Sequence, residues 1–181
     1  MKTAHELTGR HEASIRPTWV SWFSTMDQAL KKGMARSGIP LARIALGIVF
    51  FWFGVLKFFP GLSPAQDLAG RTISVLTFGL VDPALSLPIL ALWECAIGIG
   101  FLSGKYLRFT ILLLFLQMAG TMLPILFFPH ETFTLFPISP TLEGQYIIKN
   151  LVLVSVGLIL GATVDGDVLL VKPAATNPPE S

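Results

Sequence analysis

Four long apolar stretches constrain this chain more than any other feature of its sequence. They cover residues 41–59, 84–102, 106–128 and 145–164, and a proline, a glycine or an Asp-Gly pair lies at or just beyond the end of each. An α-helix of ~20 apolar residues crosses a bilayer core about 30 Å thick, because its backbone polar groups are bonded within the segment. A soluble bundle would instead show a polar face on each helix, but residues 111–116 are apolar all round. The sequence therefore predicts an all-α fold, an integral membrane four-helix transmembrane bundle.

The composition excludes several classes of site. Charged residues make up 13% of the 181 residues, against about 25% in a typical soluble domain. One Cys cannot form an internal disulfide, a CxxC pair or a Cys-based zinc site, and the three His leave no pair inside an apolar stretch to hold a haem. The GxGxxG and GxxxxGK[ST] motifs of nucleotide sites are also missing. We expect no metal site, no covalently held cofactor and no nucleic-acid partner.

The distribution of Lys and Arg predicts the orientation in the membrane. Ten of the 13 lie before or at the start of the first span, at the turn between the second and third spans, or on the C-terminal tail. By the positive-inside rule, both termini are expected in the cytoplasm of a bacterial-type inner membrane. No apolar run precedes residue 41, so no cleaved signal peptide is expected.

The segments outside the spans divide the chain into three parts. Residues 1–38 are expected to form a cytoplasmic segment with an amphipathic helix at about 17–34, which carries Trp22, Phe23 and Met26 at helical spacing. This helix lies on the inner leaflet or packs against the bundle or a partner subunit. Residues 39–165 form the membrane domain, with a short outer-face helix within 63–80 and an apolar loop at 130–144 that folds back over the bundle. Residues 166–181 are expected to be a flexible cytoplasmic tail.

Polar side chains inside the spans are candidates for a functional site, because they are costly in hydrocarbon and usually face the bundle interior. Glu94 and Gln117 lie near the bilayer middle, Lys57 and Lys149 lie in the outer turns of the first and fourth spans, and Tyr146 and Asn150 accompany Lys149. Two alternatives remain open at this point. Either lysine could extend to the outer headgroups, and Glu94 could simply bond Gln117 between packed helices.

The spacing of small residues indicates which of these groups can meet. In the first span Gly47, Gly54 and Lys57 share one helix face, and in the second span Glu94 and Gly98 do. Small residues let membrane helices approach closely, so Glu94 and Lys57 are expected on packed faces. Two outer lysines above one buried carboxylate predict a polar pocket that opens towards the outside.

Three motifs follow each other in order along the spans. They are Arg43-x3-Gly47-x6-Gly54-x2-Lys57, Glu94-x3-Gly98-x-Gly100-x4-Lys105-x2-Arg108, and the segment EGQYIIKNL at residues 143–151. Together they resemble the DoxX-like superfamily of small four-helix membrane proteins over about residues 40–165. The third is similar to the Gly-Arg-hydrophobic-Lys-Asp segment of the YkgB-type branch, with Gln145 in place of an Arg and Asn150 in place of an Asp. The resemblance implies a four-helix bundle and links to quinone-coupled sulfur oxidation and to oxidative-stress or reactive-chlorine resistance.

Three functions fit these observations. The first is a quinone-interacting inner-membrane protein, or the membrane subunit of a redox or oxidative-stress complex; if it is an enzyme, it is a quinone-linked oxidoreductase subunit. Such a site would use Glu94 as proton relay, Lys57 or Lys149 as donor to a quinone carbonyl, and Phe50, Phe51, Trp93, Gln117, Tyr146 and Asn150 as ligand-binding groups. The second is a small-solute or proton-coupled transporter, and the third is a non-catalytic membrane scaffold or assembly factor. Besides the bilayer, the expected partner is a second copy of the chain or another membrane or cytoplasmic subunit.

Overall fold

The computed structural model describes residues 18–59, 61–63 and 66–165 of the chain. The predicted tail at 166–181 and the first 17 residues of the N-terminal segment lie outside these ranges. The chain divides into two compact units, Met1–Gly38 and Ile39–Ser181. We call them the N-terminal unit and the bundle unit.

Four long helices account for most of the described chain: α1 (Thr18–Leu56), α3 (Pro83–Ser103), α4 (Leu107–Phe127) and α6 (Leu142–Ala162). Each contains a segment long and apolar enough to cross a membrane, and in α1 that segment is Thr25–Leu56. The predicted all-α bundle of four transmembrane helices is therefore confirmed. The second, third and fourth spans match the predicted ranges to within three residues at each end.

Helix α1 differs from the expectation in its continuity. The sequence predicts an amphipathic helix at about 17–34 and a separate span from residue 41, whereas the structure has one helix through Pro40. A proline fixes a backbone φ that suits a helix and removes one N–H donor, so a helix can continue through it with one hydrogen bond lost. Residues 57–59 form turns rather than helix, with Lys57 N donating to Gly54 O at 3.2 Å.

In the N-terminal unit, apolar and charged side chains of α1 are both exposed. The rings of Trp22 and Phe23 meet edge to face at a centroid distance of 5.6 Å, and Lys31 Nζ lies 2.5 Å from the Asp27 carboxylate. Met26 and Leu30 are exposed one and two turns after Trp22. The location of this face on the inner leaflet remains a prediction.

At one end of the bundle, the connections between helices fold into a small structure that we call the cap. It consists of α2 (Gln66–Leu76), α5 (Pro129–Thr132) and a hairpin of β1 (Phe133–Leu135) and β2 (Ser139–Pro140). Helix α2 matches the predicted short helix within residues 63–80. The hairpin lies within the apolar loop predicted at residues 130–144. In this segment Phe133 is buried, whereas Leu135, Phe136 and Ile138 are exposed.

Close packing of α1 against α3 sets the geometry of the bundle. A Cβ atom placed on Gly98 would lie 2.5 Å from Phe51 N, and one placed on Gly54 would lie 2.8 Å from Cys95 N. Only glycine leaves room for backbones at this distance, as the predicted small-residue faces require. The buried apolar core consists of Leu46, Phe50, Ile97, Phe101, Ile111, Leu114, Met118 and Leu160.

Candidate functional site

A buried ion pair joins α1 to α3 in the bundle unit. Lys57, in the turn that follows α1, donates to Glu94 near the middle of α3, with 2.6 Å between Nζ and Oε2. The side chains are only 13% and 9% exposed. Gly54 explains how they meet: its missing side chain brings α1 against the backbone of Cys95 and the Cβ of Glu94. Lys57 follows three residues later, which places it on the same side of the chain.

Helix α4 supplies the second partner of Glu94. Gln117 Nε2 donates to Glu94 Oε1 at 2.9 Å, and both residues are buried. Each carboxylate oxygen therefore accepts one hydrogen bond, one from a cation and one from a neutral amide. In the described part of the chain, Lys57 Nζ has no partner besides Glu94, and Gln117 Oε1 accepts no hydrogen bond. Two ammonium N–H groups and one amide oxygen are thus left for a ligand.

These three side chains lie on the wall of an apolar cavity of about 670 Å³, which we call the membrane cavity. Helices α1, α2, α3, α4 and α6 all contribute to it. Its aromatic lining comes from Phe50, Phe53, Trp93 and Tyr146. A volume of 300–1,000 Å³ with a mostly apolar lining and a few convergent polar groups is typical of small-molecule sites.

A second polar pair lies on the α4–α6 side of the membrane cavity. Asn150 Nδ2 donates to Thr121 Oγ1 at 3.4 Å, and the Thr121 hydroxyl donates to Met118 O at 2.9 Å. Trp93 Nε1 donates to Leu113 O at 3.2 Å, which fixes the indole against α4. The cavity therefore has polar groups on more than one helix and at least one aromatic wall held in place by a hydrogen bond.

Most of the candidate residues line this cavity, but two do not. Phe50, Lys57, Trp93, Glu94, Gln117, Tyr146 and Asn150 are brought together as expected. Phe51 is not: it packs its backbone against Gly98 and is 40% exposed, because the next residue on a helix points about 100° away. Lys149 is exposed, and its Nζ lies 5.8 Å from the centroid of the Tyr146 ring. Of the two lysines expected above Glu94, the structure brings Lys57 into contact with it, and Lys149 does not line the membrane cavity.

A polar cleft of about 710 Å³ adjoins the membrane cavity at the cap, and sequence reasoning did not identify it. It is lined by Gly61, Ser63, Gln66, Asp67, Leu68, Arg71, Glu131 and Glu143. Ser63, Leu68 and Glu143 line both spaces. Arg71 and Glu131 have opposite charges and lie in the two connections at this end of the bundle. This was a sequence signal that could have predicted a contact between the two connections.

Arg71 and Glu131 close one side of the polar cleft. The guanidinium makes two hydrogen bonds to the carboxylate, one of them at 2.7 Å between Nη1 and Oε1. It also lies 5.0 Å from the centroid of the Phe128 ring. The hydrogen bond from Arg71 lowers the pKa of Glu131, and the same bond raises the pKa of Arg71. The pair links α2 to α5 while both groups remain charged.

Comparison with known proteins identifies the family. The sequence model of the DoxX family matches residues 38–131, a segment that contains α2, α3, α4, the ion pair and the first two of the three motifs. The third motif, at residues 143–151, lies beyond it. No curated protein and no solved structure matches the chain. Since the matched segment covers more than half of the 181 residues, the chain belongs to the DoxX family of membrane proteins.

Proposed function

We propose that this DoxX-family protein binds a membrane quinone in the membrane cavity and serves in a redox complex. The observation that carries the proposal is the group formed by Lys57, Glu94 and Gln117 on the wall of an otherwise apolar, partly aromatic space. A quinone head group requires an apolar slot, a donor to its carbonyl oxygen and a nearby proton source. The residues of this cavity fit all three requirements.

Lys57 is the donor in this proposal. Two of its three N–H groups are unused by the described residues, so it can bond a carbonyl oxygen while it keeps its contact with Glu94. Gln117 Oε1 can accept from a hydroxyl, which favours the reduced ligand. Phe50 and Trp93 supply flat apolar walls on α1 and α3. A site with both a donor and an acceptor can hold the oxidised and the reduced ring.

Glu94 handles protons in this proposal. Conversion of a quinone to a quinol takes up two electrons and two protons, and we assign the electrons to a partner redox protein. The Glu94 carboxylate can take a proton from Lys57 across 2.6 Å or pass one to the ligand. It stays oriented during these exchanges because Gln117 holds its second oxygen. General acid–base groups need this kind of hydrogen-bond reach.

The location is part of the proposal. We place the protein in a bacterial-type inner membrane with both termini in the cytoplasm, because ten of its 13 Lys and Arg belong to the segments that this orientation puts on that side. The cap and its polar cleft then face away from the cytoplasm. Cysteine substitutions at exposed cap residue Ile138 and at tail residue Asn177 test this orientation. A membrane-impermeant thiol reagent applied to intact spheroplasts should label the first and not the second.

The proposal is tested by extracting quinone from the protein purified in mild detergent and quantifying it by mass spectrometry. We expect near-stoichiometric quinone in the wild type and at least fivefold less in Glu94→Gln. Glu131→Gln is the matched control, because it removes a carboxylate that lines only the polar cleft. Glu94→Gln leaves Lys57 unpaired, so a double variant with Lys57→Met provides a second test without a buried charge. Trace quinone in every folded form would contradict the proposal.

A proton-coupled transporter is the second candidate, and one observation favours it. Ser63, Leu68 and Glu143 line both the membrane cavity and the polar cleft. The cavity that contains the Lys57–Glu94 pair therefore borders the polar cleft at the cap. Transport would also need a path to the opposite end. Proteoliposomes loaded with a pH-sensitive dye test this candidate, since solute-driven acidification that is lost in Glu94→Gln would support it.

A further inference from the structure

One titratable side chain lines both the membrane cavity and the polar cleft. Of the three residues common to the two walls, Ser63 and Leu68 do not titrate near neutral pH, and Glu143 is the only carboxylate. Glu143 belongs to the first turn of α6, where Thr141 caps the helix by accepting from Gly144 N at 3.2 Å. This N-terminal hydrogen bond fixes where α6 begins, and therefore where the backbone of Glu143 lies between the membrane cavity and the polar cleft.

Charged groups line both of the spaces that Glu143 lines. In the polar cleft these are Asp67 and Arg71 on α2 and Glu131 on α5, and Arg71 is already bonded to Glu131. In the membrane cavity they are Lys57 and Glu94, which are bonded to each other. Among the described residues on these walls, Asp67 and Glu143 are the carboxylates without an ion pair. Of these two, only Glu143 reaches the membrane cavity.

We infer that Glu143 is the proton relay between the buried Lys57–Glu94 pair and water in the polar cleft. The inference rests on the proposed function, since a quinone site inside a membrane must exchange protons with water. The membrane cavity of about 670 Å³ has room for bridging water, because one water occupies about 30 Å³ in the liquid. Ser63 and Asn150 add polar surface to the same wall.

The relay moves one proton at a time. A proton that leaves Lys57 Nζ breaks an N–H bond and passes through cavity water to a Glu143 oxygen, where an O–H bond forms. The Glu143 carboxyl then releases a proton to water in the polar cleft and regains its charge. Lys57 recovers a proton by the reverse path. No oxidant or reductant is needed for this exchange, so it can be measured without a bound quinone.

The test measures how fast the Lys57 ammonium protons exchange with water, by ¹⁵N NMR of the full-length protein in lipid nanodiscs. The Lys57 signal is identified by its loss in Lys57→Arg. We expect Glu143→Gln to slow the exchange at least tenfold, because the amide cannot accept and release a proton as a carboxylate does. Asp67→Asn is the matched control: it removes a carboxylate from the same cleft but not from the membrane cavity, and should leave the rate unchanged. Glu143→Asp should restore most of the rate.

The possible results separate this inference from the quinone proposal. Equal exchange rates in wild type and Glu143→Gln would overturn the relay, and so would equal slowing in Glu143→Gln and Asp67→Asn, since the charge of the cleft would then be the cause. Slow exchange in Glu143→Gln alone supports the relay even if extraction finds no quinone, a result that would refute only the proposed ligand. Equal thermal unfolding temperatures of the wild type, Glu143→Gln and Asp67→Asn would show that slower exchange does not come from a loss of fold.

Discussion

Removal of Lys57 should destabilise the bundle more than removal of both members of its ion pair. Lys57→Met leaves the 9% exposed Glu94 side chain with Gln117 as its single described partner. An uncompensated charge left by breaking a buried pair costs about 3–5 kcal/mol, whereas apolar or neutral replacement of both partners is often neutral. We expect a loss of about 3 kcal/mol for Lys57→Met and less than about 1 kcal/mol for the double variant with Glu94→Gln.

A double-mutant cycle measures this difference as a coupling energy between Lys57 and Glu94. Unfolding in mixed micelles with increasing SDS gives the free energy of unfolding for the wild type, both single variants and the double variant. The expected coupling is at least about 2 kcal/mol, or about 30-fold in the equilibrium constant. Arg108 and Asp165 form the matched control, because their side chains are 74% and 63% exposed and such pairs give less than about 1 kcal/mol. Equal coupling in the two pairs would refute the argument from burial.

Two further predictions concern the packing of α1 on α3 and the ion pair of the cap. Gly98→Ala should lower the free energy of unfolding by about 1–3 kcal/mol, because the new methyl group would lie 2.5 Å from Phe51 N. Gly120→Ala should not lower the free energy of unfolding, because its methyl group would meet no atom within 4 Å. The same SDS titration compares the two variants, and equal losses of stability would contradict the packing argument. In the cap, Arg71 lowers the pKa of Glu131, so the stability from this pair is present above the unfolded pKa of about 4.3 and is lost as the pH falls through the folded value. A carboxyl ¹³C NMR titration should place the Glu131 midpoint below that of a Glu in an unfolded chain and move it upwards in Arg71→Gln. An unchanged midpoint in the variant would show that the pair does not form in solution.

The sequence was enough to predict the bundle and to group three polar side chains that the structure places in contact. Apolar length alone located the spans, since hydrocarbon permits few other structures. Glu94, Gln117 and Lys57 could be grouped because polar residues in a span must find partners, and the spacing of Gly54 and Gly98 showed which faces meet. Each of these arguments depends on the helical spacing of residues or on the cost of placing polar groups in hydrocarbon, and both can be judged from a single sequence.

The residues that were misplaced depend on information of another kind. Phe51 follows the cavity residue Phe50, and Lys149 precedes the cavity residue Asn150. A rotation of the helix about its axis by about 100°, the angle between successive residues, therefore decides whether each side chain points inwards. Helical spacing restricts that rotation, but contacts with neighbouring helices fix it, as Gly98 does for Phe51. The polar cleft was missed because Arg71 comes from α2, Glu131 from α5 and Glu143 from the first turn of α6. Their meeting depends on how the cap folds.

The place of the ion pair in the bundle favours a chemical role over a structural one. Gly54 and Gly98 already bring α1 and α3 to backbone contact, and a buried ion pair is on average no more stabilising than apolar residues of the same volume. Packing alone would therefore be served equally well by apolar residues at both positions 57 and 94. Instead the carboxylate lies on the wall of an apolar cavity, and two N–H groups of its cation have no partner among the residues that the structure describes. Glu143, the proposed relay, lines both this cavity and the polar cleft. Charges held in this way can exchange protons with a ligand, which a packing contact does not require.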